Sequence, residues 1–385
     1  MKDIAIIGAS YLQVPLIEKA KEMGLITHVF AWEAGDPGEK AADHFYPISI
    51  TEKERILEKC RDIGISGITS IASDLAAVTV NYVADKMGLS GNSKECALIS
   101  TNKHEMRKAL ERGGDPSVKS VLVKDPGDLE GITLSYPVIV KPLDRSGSRG
   151  ITKLYDEKGL FDAIERAKGE GFIKAALVEE YARGKEYSVE CISYGGKHHF
   201  LAMTEKFTTG SPNFIETAHL EPADVSPAML SKVKDTVFHA LDTLMITDSA
   251  SHSEIKIDRD GNIRIIEIGG RMGGDMIGSD LVYLSTGYDF LKAVIDVALS
   301  VPPAPFVLSK EEASAVRYIF CEKDKEALER LLNEHPDYLV RKDIHEITGD
   351  LVSDSSERYG YFLMKGPSRE ALLPYLPAHS LESGE

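Results

Sequence analysis

Cysteine is scarce in this chain, and none is paired in sequence. Cys60, Cys96, Cys191 and Cys321 lie far apart and form no Cys-x-x-Cys motif. A disulfide framework or a zinc site is therefore not expected; buried reduced thiols in a cytoplasmic protein are. Positive charge is in deficit: 45 Lys and Arg stand against 61 Asp and Glu, a formal net charge of −16. No nucleic-acid partner is expected, because phosphate contacts need a basic footprint. A nucleotide site needs only a local cluster of cations and stays open. No apolar run approaches the length of a membrane span, so no membrane partner is expected. The run Ile4-Ala5-Ile6-Ile7 is too short for a signal-peptide core. Internal repeats and low-complexity tracts are absent.

What is present is an ordinary folding composition, 43% hydrophobic and 28% charged over 385 residues, enough for two to four subdomains. Residues 1–97 alternate strand and helix signals: strands at Ile4–Ile7, Thr27–Trp32 and Ile68–Ala72, and helices ending at Gly24 and Gly64. The capping box Thr51-x-x-Glu54 opens the second helix. This is βαβ rhythm, and it predicts a Rossmann-like parallel sheet with helices on both faces. The turn from Gly8 to Gln13 matches a dinucleotide fingerprint only at its first glycine, so a nicotinamide reading rests on Gly8 and Glu33 alone. A helix over Asn102–Arg112, capped by Ser100 or Thr101, leads into a small α/β unit at 121–181. Residues 185–275 read as an antiparallel sheet with one long helix opened by Ser226-Pro227. Val301-Pro302-Pro303-Ala304-Pro305 is a stiff linker, and the tail beyond it carries a strand and two helices.

The chemistry concentrates late in that antiparallel region. Asp260-Gly261 is a strong hairpin signal. A turn centred there pairs Glu254 with Glu267 on one face and puts Ile255, Ile257, Ile266 and Ile268 on the other. Like charges directly opposite across a strand pair are destabilising, so a cation between them is one reading, and Mg²⁺ carrying nucleotide phosphates suits oxygen ligands on a rigid sheet; two independent surface acids are the other. Directly after Glu267, Gly269-Gly270-Arg271-Met272-Gly273-Gly274 brackets one guanidinium with glycines, a setting for an oxyanion or a transferring phosphate. Earlier, an apolar strand ends in Lys141-Pro142 and precedes the loop Asp144-Arg145-Ser146-Gly147-Ser148-Arg149-Gly150. That loop has the small residues and charged donors that cradle an anion but lacks the Gly-Lys-Ser/Thr of a Walker loop.

In order along the chain, Thr101-Asn102-Lys103, Pro137–Pro142, Ser146–Gly150, Val178–Tyr181, Gly184–Ser188 and Glu254…Glu267-x-Gly-x-Arg271 resemble the ATP-grasp superfamily, and within it carboxylate–amine ligases of the amino-acid ligase kind. The resemblance implies a Rossmann-like domain (1–97), an ATP-grasp fold of two α+β subdomains (98–304, with a lid at about 115–181) and a C-terminal α+β subdomain (305–385). It implies that Lys103 and Lys141 bind ATP phosphates, that Ser146, Gly147, Ser148, Arg149 and Gly150 close over them, that Glu179, Glu180, Tyr181 and Ala182 hold adenine, and that Glu186 takes the ribose hydroxyls. Glu254 and Glu267 would ligate Mg²⁺, with Mn²⁺ as an alternative. Arg271 would stabilise an acyl phosphate, and Glu216 and His219, in the segment Thr204–Pro222, would position substrate or move a proton. The implied reaction joins a small-molecule carboxylate to an amine, in a cytoplasmic enzyme for which a homodimer is open. Gly269 departs from the pattern, because many members carry Asn there. A nucleotide-binding homologue without ligation is the alternative that this raises.

Overall fold

A computed structural model of the chain describes residues 2–144, 149–211, 214–349 and 358–378. The strands are β1 (Asp3–Ile7), β2 (Ile26–Ala31), β3 (His44–Pro47), β4 (Gly67–Thr69), β5 (Ser120–Val123), β6 (Val138–Pro142), β7 (Thr152–Leu154), β8 (Ala176–Glu180), β9 (Lys185–Tyr194), β10 (Lys197–Thr208), β11 (Glu216–Glu221), β12 (Ser249–Ile257), β13 (Ile263–Gly269), β14 (Ala313–Tyr318), β15 (Leu339–Ile344) and β16 (Gly360–Gly366).

The first four strands form a parallel sheet in the order β3-β2-β1-β4. Ile4, Ile6, Ile7, Val29 and Phe30 are fully buried, as a sheet covered on both faces requires. Two helix starts differ from the sequence expectation. Glu52, not Thr51, precedes the helix Lys53–Ile63, because its carboxylate reaches back to the Ser49 N–H and across to Arg55. The helix Lys103–Gly113 is capped by Asn102, whose Oδ1 accepts from the N–H groups of His104 and Glu105. Ser100 and Thr101 belong instead to a preceding helix, Lys94–Thr101.

The 121–181 region is a second, four-stranded sheet, β5-β8-β6-β7, with the helix Leu160–Glu170 packed on Val138, Val140, Ala176 and Val178. The third sheet has eight strands, β13-β12-β9-β10-β11-β14-β16-β15. The strands after the proline linker thus extend the central sheet through the β11–β14 pairing. One face of its β9, β12 and β13 portion is apolar: Tyr187, Val189, Ile255, Ile263, Ile265 and Ile268 pack on Val233, Val237 and Leu241 of the helix Pro227–Thr243. The opposite face is polar.

The β12–β13 hairpin departs from the expected register in its outer half. The loop is three residues, Arg259–Gly261, closed by Asp258 and Asn262, with Gly261 at φ +75°. Ile257 therefore faces Ile263 and Ile255 faces Ile265. A bulge between Glu254 and Ile255 absorbs one residue, so that Glu254 still faces Glu267. Ile265 and Ile263 consequently take core places, and Ile266, expected in the core, is only half-buried.

Candidate functional site

Strand alternation builds the site. Glu186, Ser188 and Glu190 on β9 point to the polar face. Cross-strand neighbours extend this into rows: Glu267, Glu254, Ser188 and Thr204 in one, and Lys256, Glu186, Lys206 and His219 in the next. The third row sets His252 opposite Glu190 and Gly269. Both connections of the small sheet press on the hairpin that carries the facing acids. Ile265 N–H donates to the Pro116 carbonyl at 2.8 Å. On the return, Gly184 sits at φ +106° where a Cβ would lie 2.1 Å from the Ile257 carbonyl oxygen, a place only glycine can take.

The facing glutamates are held apart by cations. Lys103 Nζ is 2.7 Å from Glu267 Oε1. Lys206 Nζ is 2.7 Å from Glu254, 2.5 Å from Glu216 and 3.2 Å from Glu186. Burial works against the Lys206 ammonium, yet these acids outweigh it and raise its pKa well above the usual lysine value. Oxygen atoms of Glu186, Glu216 and Glu254 lie within 4.8 Å of one another. His252 lies 2.5 Å from Glu190 and 3.5 Å from Glu254. Burial lowers its pKa, but the Glu190 carboxylate more than reverses this and lifts it to about 9. This is a concentration of hard oxygen donors on rigid strands, the donor set of a Mg²⁺ site.

A second, cationic cluster adjoins it. Lys103 and Arg107 are four residues apart on one helix and so share a face. Arg107 Nε is 2.8 Å from Glu179 Oε1, and Lys141 Nζ is 2.6 Å from Glu179 Oε2. Two cations share this one buried carboxylate. Burial pushes the Glu179 carboxyl up, but the two cations outweigh it and bring it to about 2. Lys141 is lowered, mainly by burial; Glu179 opposes this, and Arg107 and Lys103 nearby add to the lowering. The pocket therefore carries surplus positive charge. Beside it, Glu180 Oε2 accepts from the Lys119 N–H at 3.3 Å, Lys153 lies 3.4 Å from the Tyr181 ring centre, and Ala182 is buried. Arg149 and Gly150 follow β6; Ser146, Gly147 and Ser148 lie outside the described residues.

Beyond Glu216 lies a third group. His219 is fully buried, 3.9 Å from Glu216 and 3.8 Å from Asp275, and neither ring nitrogen has a hydrogen-bond partner among the described residues. Arg358 reaches Asp275 at 2.9 Å and Glu216 at 3.5 Å, and stacks 3.6 Å above the Tyr318 ring. Arg271, expected at the carboxylate pair, makes a two-pronged contact with Asp74 of the parallel-sheet domain, at 2.7 and 3.0 Å.

Residues 134–280 match the ATP-grasp domain family. That stretch of the chain is an ATP-grasp domain. Among curated relatives, the alanine–anticapsin ligase of Bacillus subtilis (strain 168) is 24% identical over 269 residues, 63% of this chain and 56% of the relative. Carnosine synthase 1 of Mus musculus is 23% identical over 337 residues, 79% of this chain and 40% of the relative. The chain thus spans about half the length of these relatives. Among solved structures, an L-amino acid ligase from Bacillus licheniformis superposes with a TM-score of 0.82 at 22% identity, covering 97% of this chain and 96% of that one. A phosphoribosylglycinamide synthetase from Anaerococcus prevotii gives 0.77 at 21%, with 97% and 96% covered. The fold, with its parallel-sheet domain ahead of the ATP-grasp domain, is shared with both solved structures.

Sequence reasoning missed Lys206, Arg107, Asp74, His252, Asp275 and Arg358. A signal existed for two of them. Lys206 interrupts the buried run Leu201–Phe207, where a lysine needs a partner. His252 stands two residues before Glu254, so on the same strand face. The others come from distant segments and carry no local mark. Among the described residues no helix is long and apolar enough to cross a membrane.

Proposed function

We propose that the chain is an ATP- and Mg²⁺-dependent carboxylate–amine ligase that activates a small carboxylic acid as an acyl phosphate and joins it to an amine. The observation that carries this reading is the junction of two opposite fields. The Glu254–Glu267 pair and its neighbours call for a cation, and the adjoining cluster of Lys103, Lys141 and Arg107 calls for an anion. A metal–nucleotide complex satisfies both.

Glu254 and Glu267 would hold Mg²⁺, or Mn²⁺ in its place; the ion, when bound, neutralises charge on the transferring phosphoryl group. Lys103 and Lys141 bind the phosphates, with the loop through Arg149 and Gly150 closing over them. The segment Glu180–Ala182 flanks adenine while the Glu179 carboxylate anchors the two cations, and Glu186 reaches the ribose. The substrate carboxylate attacks the γ-phosphorus and ADP leaves. The amine then attacks the acyl carbon and phosphate leaves, forming the amide. Glu216 takes the proton that the amine sheds: burial, and Asp275 beside it, raise its carboxyl pKa against the pull of Lys206. His219 completes the wall of that pocket. Arg358 Nε is buried with no partner among the described residues, and the carboxylate of an amino-acid substrate would satisfy it. The small β5-β8-β6-β7 sheet serves as the lid that keeps water from the acyl phosphate.

The test is a phosphate-release screen with ATP and Mg²⁺ over paired amino acids and other small acids. Release that needs both an acid and an amine supports ligation. ATP-dependent thermal stabilisation with no release across the panel would favour a nucleotide-binding homologue without ligation.

A further inference from the structure

The contact between Asp74 and Arg271 joins two domains, and several observations show that it is built. A Cβ at Gly269 would lie 2.9 Å from Asp74 Oδ1 and 3.2 Å from Arg271 Cζ and Nε. Glycine at 269 thus leaves room for this pair. Segment 71–74 runs alongside 271–273: Ile71 bridges Met272, and Ala72 N–H donates to the Met272 carbonyl at 3.1 Å. That segment is pinned from behind. Gln13 Nε2 donates to the Ile71 carbonyl at 2.8 Å in a fully buried contact, and Ser10 donates to Gln13 Oε1 through both its N–H and its hydroxyl. Gly8, at φ +103°, leaves the space that the Gln13 carboxamide fills. The turn that matched a dinucleotide fingerprint only at its first glycine thus holds a loop in place. Asp74 is the first residue of the helix Asp74–Met87, whose cap is Ser73.

We infer that Asp74 is the positioning residue for Arg271: the parallel-sheet domain supplies, across the domain boundary, the carboxylate that fixes the guanidinium plane beside the facing glutamates, in the space vacated by glycine at 269. This rests on the ligase reading for what Arg271 does, but not for how it is held. An arginine on a glycine-rich exit has many rotamers, and a carboxylate gripping two of its nitrogens leaves one orientation. The remaining nitrogen, Nη1, donates to the Met272 carbonyl at 3.3 Å, a further hold on the same plane.

Kinetics of Asp74→Asn, Asp74→Ala, Arg271→Ala and the double variant Asp74→Ala/Arg271→Ala, on an acid and amine pair that the wild type turns over, provide the test. Misplacing a catalytic group by an ångström costs about 10²-fold. Asp74→Asn and Asp74→Ala should lower kcat on that order and leave ATP affinity unchanged. In the Arg271→Ala background, removing Asp74 should cost nothing further. An unchanged kcat in the single variants, or an equal loss in both backgrounds, overturns the proposal. The Arg271 Nε–Hε resonance, assigned by its loss in Arg271→Lys, gives a readout without turnover. It should be resolved in the wild type and averaged in Asp74→Asn, and identical spectra would also overturn the proposal. A wild type silent on every pair sinks the ligase reading alone and leaves the spectra to decide the positioning.

Discussion

Glu179 offers the sharpest energetic test of the fold around the site. Replacing it with glutamine keeps the shape and removes the charge, leaving Arg107 and Lys141 buried around a neutral amide. The cost can be worked out in two ways. A carboxyl held at about 2 instead of 4.5 contributes roughly 3 kcal/mol at neutral pH, at about 1.4 kcal/mol per pKa unit. Breaking a buried ion pair by removing one partner costs about 3–5 kcal/mol. Glu179 is 4% exposed, so solvent screening takes little from either figure. The folded-state pKa lies below the unfolded one, so this stability is fully present above about pH 4.5 and is lost as pH falls towards 2. Urea unfolding of wild type and Glu179→Gln, followed by hydrogen exchange in β6 and β8, should show a gap of about 3 kcal/mol at pH 7. The gap should narrow below pH 4.5 by up to about 1.4 kcal/mol per pH unit. A gap under about 1 kcal/mol at pH 7, or one that stays constant down to pH 3, would refute the reasoning.

Other outcomes follow from the same geometry. Glu267→Ala should abolish phosphate release while circular dichroism stays close to wild type; retained turnover would remove Glu267 from the metal role. Lys206→Met leaves Glu186, Glu216 and Glu254 without their shared ammonium, and should destabilise the protein by a few kcal/mol, with part of the loss restored by millimolar Mg²⁺ in a thermal shift assay. Glu221 is buried on hydroxyl groups of Thr204 and Ser285. Burial raises its pKa to about 7, so the folded state keeps a proton that the unfolded state has released. Stability should therefore fall as pH rises from about 4.5 through 7, and Glu221→Gln should flatten that decline in a urea titration series.

Much of the fold was legible because its signals are local. Gly24 and Gly64 mark the helix ends, Ser226-Pro227 opens its helix, and the apolar runs Ile4–Ile7 and Val138–Val140 are buried strands. The Glu254–Glu267 pairing was legible because a hairpin needs only neighbours in sequence. What escaped reading depends on distance along the chain. The strands β15 and β16 follow no clear periodic pattern; β16 is fixed by pairing with β14, and β15 by pairing with β16. Arg107 looks like a solvated helix residue until Glu179, 72 positions away, meets it. Asp74 gains meaning only when a domain boundary brings it to Arg271, 197 positions on. The Ile266 expectation failed for a local reason of another kind: loop length decides strand phase, and Asp260-Gly261 fits two loops that differ by one residue.

The bulge at Glu254–Ile255 insulates the acids from the tip of their own hairpin. Side-chain direction along a strand alternates, so a one-residue change in the loop would ordinarily turn every residue beyond it to the wrong face. Here the outer half, Ile255 to Ile265, keeps its own phase, and the bulge resets it before the carboxylates are reached. The tip can therefore lengthen or shorten by one residue, with the bulge disappearing or moving, while Glu254 and Glu267 stay opposite each other. An alignment of such chains anchored on the Asp-Gly turn would place the second acid one residue out. One anchored on the acids would instead locate the variation in the loop.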